Sequence, residues 1–435
     1  MGALVLAAPA SAGSVAGEGF GGCSAAQGSF AFHYTARLTV DELAWLRRFR
    51  IVVPGEVLPA DQIRALKDEG AELFFYDWLT GFYLDAKPGE GDRHSWEAFV
   101  RRARPRWLLN ADRPDAGPDG RGRAYYYDPS APDLRLARAG RLAEKRRQAS
   151  YAGVFFDLVG SASVPESFLR EFNARHAESP FDEALREQLQ TLKRIQPGVL
   201  IFTNQGYRTP HAYLPVTDYD LSESLMTSYE WGQTVELVLE REGLVRTRET
   251  FYRPWEDLKR ILNSIDAAVK RYNPAVKMFH LNYVNPSFRP AGRKEQVAGT
   301  EYDVFRKEVD RAAIYYGYVA AKLWAHESYS PSETVGLVQD PVYFSDLGKP
   351  LGSGWEERDG VVRRYYEKGV VALNPASATR TADLGSPLVP ADVRGLWDCY
   401  EGAPVGGLAV VIVPTTSPAS GRTYPAGRVY LYLRR

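Results

Sequence analysis

The chain has 435 residues, of which 45% are hydrophobic, 25% charged and 12% aromatic, a balance that excludes a disordered, collagen-like or disulfide-dense protein. Its 54 basic residues match 54 acidic ones, for a net charge of zero, which argues against nucleic acid as a partner because such binders carry a basic excess. The 26 Tyr and 9 Trp supply flat faces with polar tips, used either in cores and interfaces or as surfaces on which sugar rings stack.

The chain opens with an apolar run from Ala3 to Ala8. Ala10-Ser11-Ala12 then has the small-x-small form of a signal-peptidase site. The charged start of a full signal peptide is missing, so the alternative is a frayed, Ala/Gly-rich terminus. The expectation is a secreted or extracytoplasmic protein, with cell-envelope association open. No later apolar run reaches the roughly 18 residues that span a bilayer. Gly17-Glu18-Gly19-Phe20-Gly21-Gly22 fits GxGxxG by spacing, but no strand–helix pattern surrounds it, and it reads as linker. Phe20-Gly21-Gly22-Cys23 is a poor lipoprotein box. Cys23 and Cys399 are the two cysteines, compatible with one disulfide or with two free thiols.

From residue 29 short apolar runs alternate with helical patterns. Ser29 to Tyr34 predicts a strand. Thr39 to Glu42 is a capping box whose helix would bury Leu43, Leu46 and Phe49. Ile51 to Pro54 and Glu72 to Trp78 predict the next strands, separated by a helix over Asp61–Glu69. An excursion follows through Ser95–Arg104, Trp107–Asn110 and a Gly/Pro/Asp-rich loop to Arg123. The basic helix Pro132 to Gln148 is expected to show its Arg and Lys side chains to solvent. Gly153 to Val159, Val199 to Asn204, Tyr219 to Thr227, Val276 to Tyr283 and Leu323 to Tyr329 predict five more strands. Helices are expected from Phe181 to Pro197, from Trp255 to Tyr272, and behind a cap at Thr300-Glu-Tyr-Asp303. Eight strands interleaved with helices predict the α/β class and a (β/α)8 TIM barrel over residues 29–330. Residues 1–28 read as signal-like segment and linker. After Pro331, strand-like pieces at Val361–Tyr366, Gly369–Leu373, Leu408–Val413 and Arg428–Leu433 predict a small C-terminal β-sandwich over residues 331–435.

In such a barrel the reacting groups stand at the C-terminal ends of strands. The polar residues late in the runs are His33, Glu56, Asp77, Asn110, Asp157, Asn204, Glu223, Asn282, His326 and Glu327, with Tyr76, Trp78, Tyr207, Tyr229 and Trp231 beside them. Asp157 ends the run Val154-Phe155-Phe156, where an ionised carboxylate is costly unless it is paired or working; a helix cap or a structural ion pair is the alternative. Glu223 shares its segment with Asp218 and Asp220, so which of the three works is open. Two carboxylates from different strands, facing each other among aromatics, make the layout of a glycosidase. One would protonate the leaving oxygen and the other attack the anomeric carbon or activate water, retention needing a gap of roughly 5–5.5 Å and inversion about 6.5–9.5 Å. The catalytic candidates are Asp157 and Glu223. The substrate-binding candidates are Asp77, Trp78, Asn204, Tyr207, Tyr229, Asn282, His326 and Glu327. His33, His280 and His326 are more often satisfied strand histidines than ligands, and Asn204 and Asn282 could equally bridge backbone. Six scattered His with no HxH or HExxH, no Walker loop and no GxSxG elbow predict no metal and no cofactor.

The runs Trp107-Leu-Leu-Asn110, Tyr127-Asp128-Pro129 and Gly153-Val-Phe-Phe-Asp157 resemble secreted bacterial glycoside hydrolases similar to the endo-α-1,4-polygalactosaminidase group and the broader α-galactosidase-like barrels. Arg364-Tyr-Tyr-Glu-Lys-Gly369-Val-Val-Ala-Leu-Asn374-Pro375 looks like the β-domain behind such barrels. The resemblance implies Asp157 as nucleophile on the fourth strand and Glu223 as acid/base on the sixth, and with them a retaining hydrolase of a poly- or oligosaccharide. Leu158-Val159 departs from the further acids of the polygalactosaminidase pattern, which weakens an amino-sugar substrate. The competing expectation is a non-catalytic carbohydrate- or envelope-binding protein on a barrel scaffold, favoured if the two carboxylates lie more than about 10 Å apart, outside the catalytic gaps.

Overall fold

The computed structural model of the chain describes residues 21–434 except residue 25, residues 84–90, residue 113, residues 117–122 and residues 332–337. The leader-like run Ala3 to Ala12 and most of the GxGxxG match lie outside the described residues. Eight strands form one parallel sheet: β1 (Gly28–His33), β2 (Phe49–Pro54), β3 (Glu72–Trp78), β4 (Gly153–Asp157), β5 (Leu200–Asn204), β6 (Tyr219–Glu223), β7 (Lys277–Leu281) and β8 (Glu327–Tyr329). Their order in space is their order in sequence, and β8 packs back against β1. This is a (β/α)8 barrel with an all but closed wall.

The strands read as near-continuous apolar runs because helices cover their outer face while side chains fill the inside. Aromatic rings mark the interior. Phe30 on β1 lies 5.9 Å from Phe202 on β5 and 5.1 Å from Phe279 on β7, contacts that cross the barrel. Phe74, Phe155 and Tyr219 join the same cluster. Since side chains alternate along a strand, Tyr76 and Trp78, Asp157, Asn204, Glu223 and Leu281 share that inward parity. Asp77, Asp220, Ser222, His280 and Asn282 take the outward one.

Helix signals place most of the outer layer. Thr39 and Glu42 form the reciprocal capping box. The helix behind it is short, however, Val40–Leu46, and Phe49 opens β2 instead of closing a helical stripe. Trp255–Tyr272 buries Trp255, Leu258, Leu262, Ile265 and Val269, the 3/4 spacing of an amphipathic helix. Two expectations fail. Thr300-Glu-Tyr-Asp303 caps no helix: Thr300–Val309 is a strand paired antiparallel with Pro286–Val297. Ala298 and Gly299, both at positive φ, turn that hairpin, and the helix starts at Arg311 behind Asp310, whose carboxylate accepts from the Ala313 N–H. The helix Pro132–Ala149 does not simply show its basic face to water, since Arg138 and Arg141 are nearly buried.

Insertions rise from the C-terminal ends of three strands. One follows β3 and contains Gly81–Tyr83, Gly91–Ala103 and Arg123–Tyr126; Asn110 pins it by donating to the Ala124 carbonyl and accepting from the Tyr126 N–H. Those after β6 and β7 combine Thr234–Leu239, Gly243–Arg248 and the 286–309 hairpin into a four-stranded sheet.

Behind the barrel stands a small β-sandwich, a six-stranded antiparallel sheet facing a two-stranded one. In the larger sheet both faces are buried. Val361, Val370, Ala372 and Tyr430 point into the sandwich core. Val362, Val371, Leu373 and Leu431 belong to the barrel-side core, which includes the helix Arg311–Leu323. The strand Ala426–Arg434 of that sheet comes so close to the helix that a side chain at Gly427 would strike the Tyr315 carbonyl. Cys23 and Cys399 are joined as a disulfide, which ties the N-terminal end of the described chain to the sandwich.

Candidate active site

Asp157 and Glu223 end β4 and β6 and face the same interior space. β5 lies between them, and Asn204 ends it. The Asn204 side-chain nitrogen donates to Asp157 Oδ1 at 2.8 Å and to Glu223 Oε2 at 2.7 Å. The two oxygens are therefore at most about 5.5 Å apart, inside the catalytic range rather than beyond it. Neither carboxylate forms a salt bridge among the described residues.

Each acid has further donors. Asp157 Oδ2 accepts from the Tyr76 hydroxyl at 2.5 Å, and Oδ1 from its neighbour Leu158 N–H at 2.7 Å. Glu223 Oε1 accepts from the Tyr283 hydroxyl at 2.9 Å. The Tyr34 ring, just past β1, meets the Tyr76 ring edge-on at 5.9 Å, and its hydroxyl lies near Tyr283 and both acids. Burial, then the negative charge of Asp157, pushes the Glu223 carboxyl above its ordinary range. Desolvation and the charges of Asp157 and Glu223 push the Tyr34 hydroxyl well up.

The backbone is unusual at all three strand ends. Leu158, Gln205 and Ser224, the residues directly after Asp157, Asn204 and Glu223, adopt φ of 49°, 63° and 53°. Left-handed backbone at non-glycine residues is uncommon and clusters at functional sites. Here it turns the chain sharply off the sheet, so each site residue is the last of its strand.

Geometry settles which acid of the third segment faces Asp157. Asp218 pairs with Lys193 and accepts from the Ile201 N–H at the start of β5. Asp220 points outward and anchors the loop after β5 through Thr203, Gly206 and Tyr207. Only Glu223 of the three reaches the pair.

Among the binding candidates, Asn204 joins the carboxylates. Trp78 is the register partner of Asp157 and shares the inward parity. The Tyr229 ring meets the Tyr283 ring edge-on at 5.4 Å. Tyr207 is half-buried in the loop after Asn204. Four candidates belong elsewhere. Asp77 points out of the barrel into Arg138 and Arg141, at 2.8 and 3.2 Å; burial opposes its ionisation, but the two guanidiniums hold it below the usual carboxylate range. Asn282 also points outward, accepting from the Met226 N–H and donating to Ser328. His326 and Glu327 lie at the opposite, N-terminal end, because β8 begins only at Glu327 and the preceding helix runs on to Leu323. There His326 bonds His280 at 3.0 Å, burial pushes it down to about 4, and Glu327 pairs with Lys322. The cavity they line is on that far end too, among Arg50, Lys277 and Trp324.

Tyr34 and Tyr283 were missed as site residues. They sit one or two positions beyond their strands, and a tyrosine there looks like any core aromatic.

No family model matches the sequence, and no curated protein matches it. Among solved structures, the chain is similar to the glycoside hydrolase domain of PelA from Pseudomonas aeruginosa, at 23% identity over 59% of this chain and 85% of that one, with a TM-score of 0.42. It is also similar to the maltogenic alpha-amylase AmyB from Thermotoga neapolitana, at 9% identity over 94% and 99%, with a TM-score of 0.46. A third is the alpha-amylase from Geobacillus thermoleovorans complexed with acarbose, at 11% identity over 93% and 98%, with a TM-score of 0.45.

Proposed function

We propose that the protein is a retaining glycoside hydrolase acting on a poly- or oligosaccharide, with Asp157 as nucleophile and Glu223 as acid/base. The observation that carries this is the pair itself: two carboxylates from non-adjacent strands, bound by one Asn204 nitrogen with the bonded oxygens at most about 5.5 Å apart, compatible with the close pair that retention uses. Their surroundings divide the roles. Glu223, desolvated and facing a second acid, holds its proton to higher pH than an ordinary glutamate, the direction an acid catalyst needs. Asp157, oriented by three donors, is set for attack.

In the first step an Asp157 oxygen bonds to the anomeric carbon. The bond to the glycosidic oxygen breaks, its electron pair stays on that oxygen, and the oxygen takes the Glu223 proton, leaving a glycosyl ester and a free alcohol. In the second, the Glu223 carboxylate takes a proton from water as the water oxygen bonds to the anomeric carbon and the Asp157 carboxylate departs. Sugar and linkage are left open.

The proposal includes export, with residues 1–28 as leader and linker, residues 29–330 as the catalytic barrel and residues 331–435 as an accessory module. The Cys23–Cys399 disulfide supports an oxidising compartment. Among the described residues no helix is long and apolar enough to cross a membrane. The test is digestion of a panel of bacterial exopolysaccharides by the wild type, Asp157→Asn and Glu223→Gln, with the anomeric configuration of the first product read by NMR. Both variants should lose activity by several orders of magnitude; full activity in both, on a substrate the wild type cleaves, sinks the assignment.

A further inference from the structure

We infer that Asn204 is a positioning residue that sets the working distance between Asp157 and Glu223 by holding both on one neutral nitrogen. The inference rests on the glycosidase proposal and assigns a task within that site which neither carboxylate can perform. Two carboxylates this close repel when both are ionised, and the Tyr76 and Tyr283 hydroxyls each hold only one of them. Asn204 stands on the one strand between theirs, at the same level and with the same inward parity. Both N–H groups of its amide are spent, one on each acid.

The other half of the side chain shows that this placement is specific. Asn204 is 6% exposed, and its Oδ1 atom is buried without a hydrogen-bond partner. A buried acceptor left alone opposes folding, and turning the amide over would set that oxygen against two carboxylates. The side chain is therefore held for what its nitrogen does. The expected role of Asn204, hydrogen-bonding sugar hydroxyls, also does not suit an amide whose donors are used and whose acceptor is covered.

Charge explains the residue type. A lysine here would hold both acids but neutralise them and strip Glu223 of its proton. A leucine of similar volume would give neither acid a donor and leave their repulsion unopposed. A neutral donor keeps the gap short and leaves enough repulsion for Glu223 to remain the acid. During the first step Asp157 loses its charge to the ester while Glu223 gains one, so the hydrogen bonding of the shared nitrogen shifts from one oxygen to the other without the side chain moving.

The groups facing Glu223 are Asp157 from β4, Tyr34 from beyond β1, Tyr283 from beyond β7 and Glu230 from the segment after β6. All are acids or phenols. Asn204 and Tyr283 donate to Glu223 and hold its carboxyl down, so removing Asn204 must raise it further.

The test compares wild type, Asn204→Leu and Asn204→Gln as full chains. The Glu223 carboxyl is titrated by carbon-13 NMR without substrate, and pH profiles are taken on whichever polysaccharide of the panel the wild type cleaves. Asn204→Leu should raise the Glu223 midpoint by about one unit, the size expected when a hydrogen bond to a charged group is lost. The basic limb of kcat/KM should move with it, and kcat should fall with little change in KM. Asn204→Gln, which keeps the amide on a longer stem, should recover part of both. A well-folded Asn204→Leu that titrates at the wild-type midpoint overturns the inference. If that variant does not fold, Asn204→Ser, which retains a single donor, is expected to shift the midpoint by less, and an unchanged midpoint there overturns it equally. Activity retained by Glu223→Gln would instead defeat the glycosidase proposal, and the titration would still report on Asn204.

Discussion

Tyr76 and Asp157 belong to adjacent strands and meet at their C-terminal ends, the Tyr76 hydroxyl donating to Asp157 Oδ2 at 2.5 Å. The Tyr76 ring is fixed from below by Phe155, stacked 5.7 Å away, so the hydroxyl arrives pre-aimed. Tyr76→Phe keeps the ring and removes the donor. Since a hydrogen bond to a charged group contributes about 1.5–3 kcal/mol, kcat should fall about 10- to 100-fold with the thermal midpoint nearly unchanged. An unaltered kcat on a cleaved substrate would mean that Tyr76 only fills space.

The acid/base assignment has a pH signature. The proposed mechanism needs Asp157 ionised and Glu223 protonated, so kcat/KM should follow a bell whose basic limb reports the free-enzyme Glu223. Burial and Asp157 raise that carboxyl, so the limb should lie above the ordinary glutamate range, near 4.3. Glu223→Gln should remove the limb and cost about 10²–10⁴-fold on substrates with poor leaving groups. A basic limb that survives in Glu223→Gln would assign it to another group.

Asp77 offers a control with the opposite outcome. It stands beside Tyr76 in sequence but faces Arg138 and Arg141 outside the barrel. Asp77→Ala leaves two nearly buried guanidiniums without their partner, and breaking such a pair costs about 3–5 kcal/mol. Thermal or urea midpoints should fall markedly, while activity per folded molecule is retained. A stable variant with no activity would return Asp77 to the substrate-binding candidates.

That contrast shows what a sequence of this kind reveals. All eight strands stand out because apolar runs of this length, separated by helical periods, have few other solutions. Which face a residue takes does not stand out: Glu72 to Trp78 is apolar on both faces, so Tyr76 and Asp77 look equally able to reach the centre. Cross-strand register decides it, and register is a property of the assembled sheet. His326 and Glu327 were drawn in by extending the last strand back to Leu323, which inverted the end of the barrel they occupy. The left-handed residues after Asp157, Asn204 and Glu223 gave no warning either, because Leu158, Gln205 and Ser224 are not the residue types that advertise positive φ. The two acids themselves were legible because a carboxylate at the end of an apolar run is hard to explain otherwise.

The disulfide gives a test of stability independent of chemistry at the site. Cys23 and Cys399 are separated by 376 residues, so their bond restrains a very long loop of the unfolded chain. A stabilisation of about 2–4 kcal/mol is typical. Replacing both with Ser should lower the thermal midpoint, and reductant should lower the wild-type midpoint to match while leaving the variant unmoved. Because no other cysteines are present, the unreduced, denatured protein should take up no alkylating reagent. Two alkylated thiols in the unreduced protein would contradict the bond.

Asp220 links stability to pH through the loop that follows Asn204. It is fully buried, and it accepts from Thr203 Oγ1 at 2.7 Å and from the Gly206 and Tyr207 N–H groups at 2.9 and 2.8 Å. Burial outweighs these donors and pushes its carboxyl up to about 7. A folded-state value above the unfolded one means that the folded chain holds this proton more tightly. The associated stability is complete below about pH 4, the ordinary aspartate range, and is lost as pH rises through 7. The loss amounts to about 4 kcal/mol at most for a shift of this size. Asp220→Asn stays neutral throughout, so its urea midpoint should change less than that of the wild type between pH 5 and pH 8, although it is lower at pH 5 for want of one acceptor. Equal pH slopes in the two proteins would show that Asp220 is already ionised in the fold, with the Gly206 and Tyr207 donors outweighing its burial.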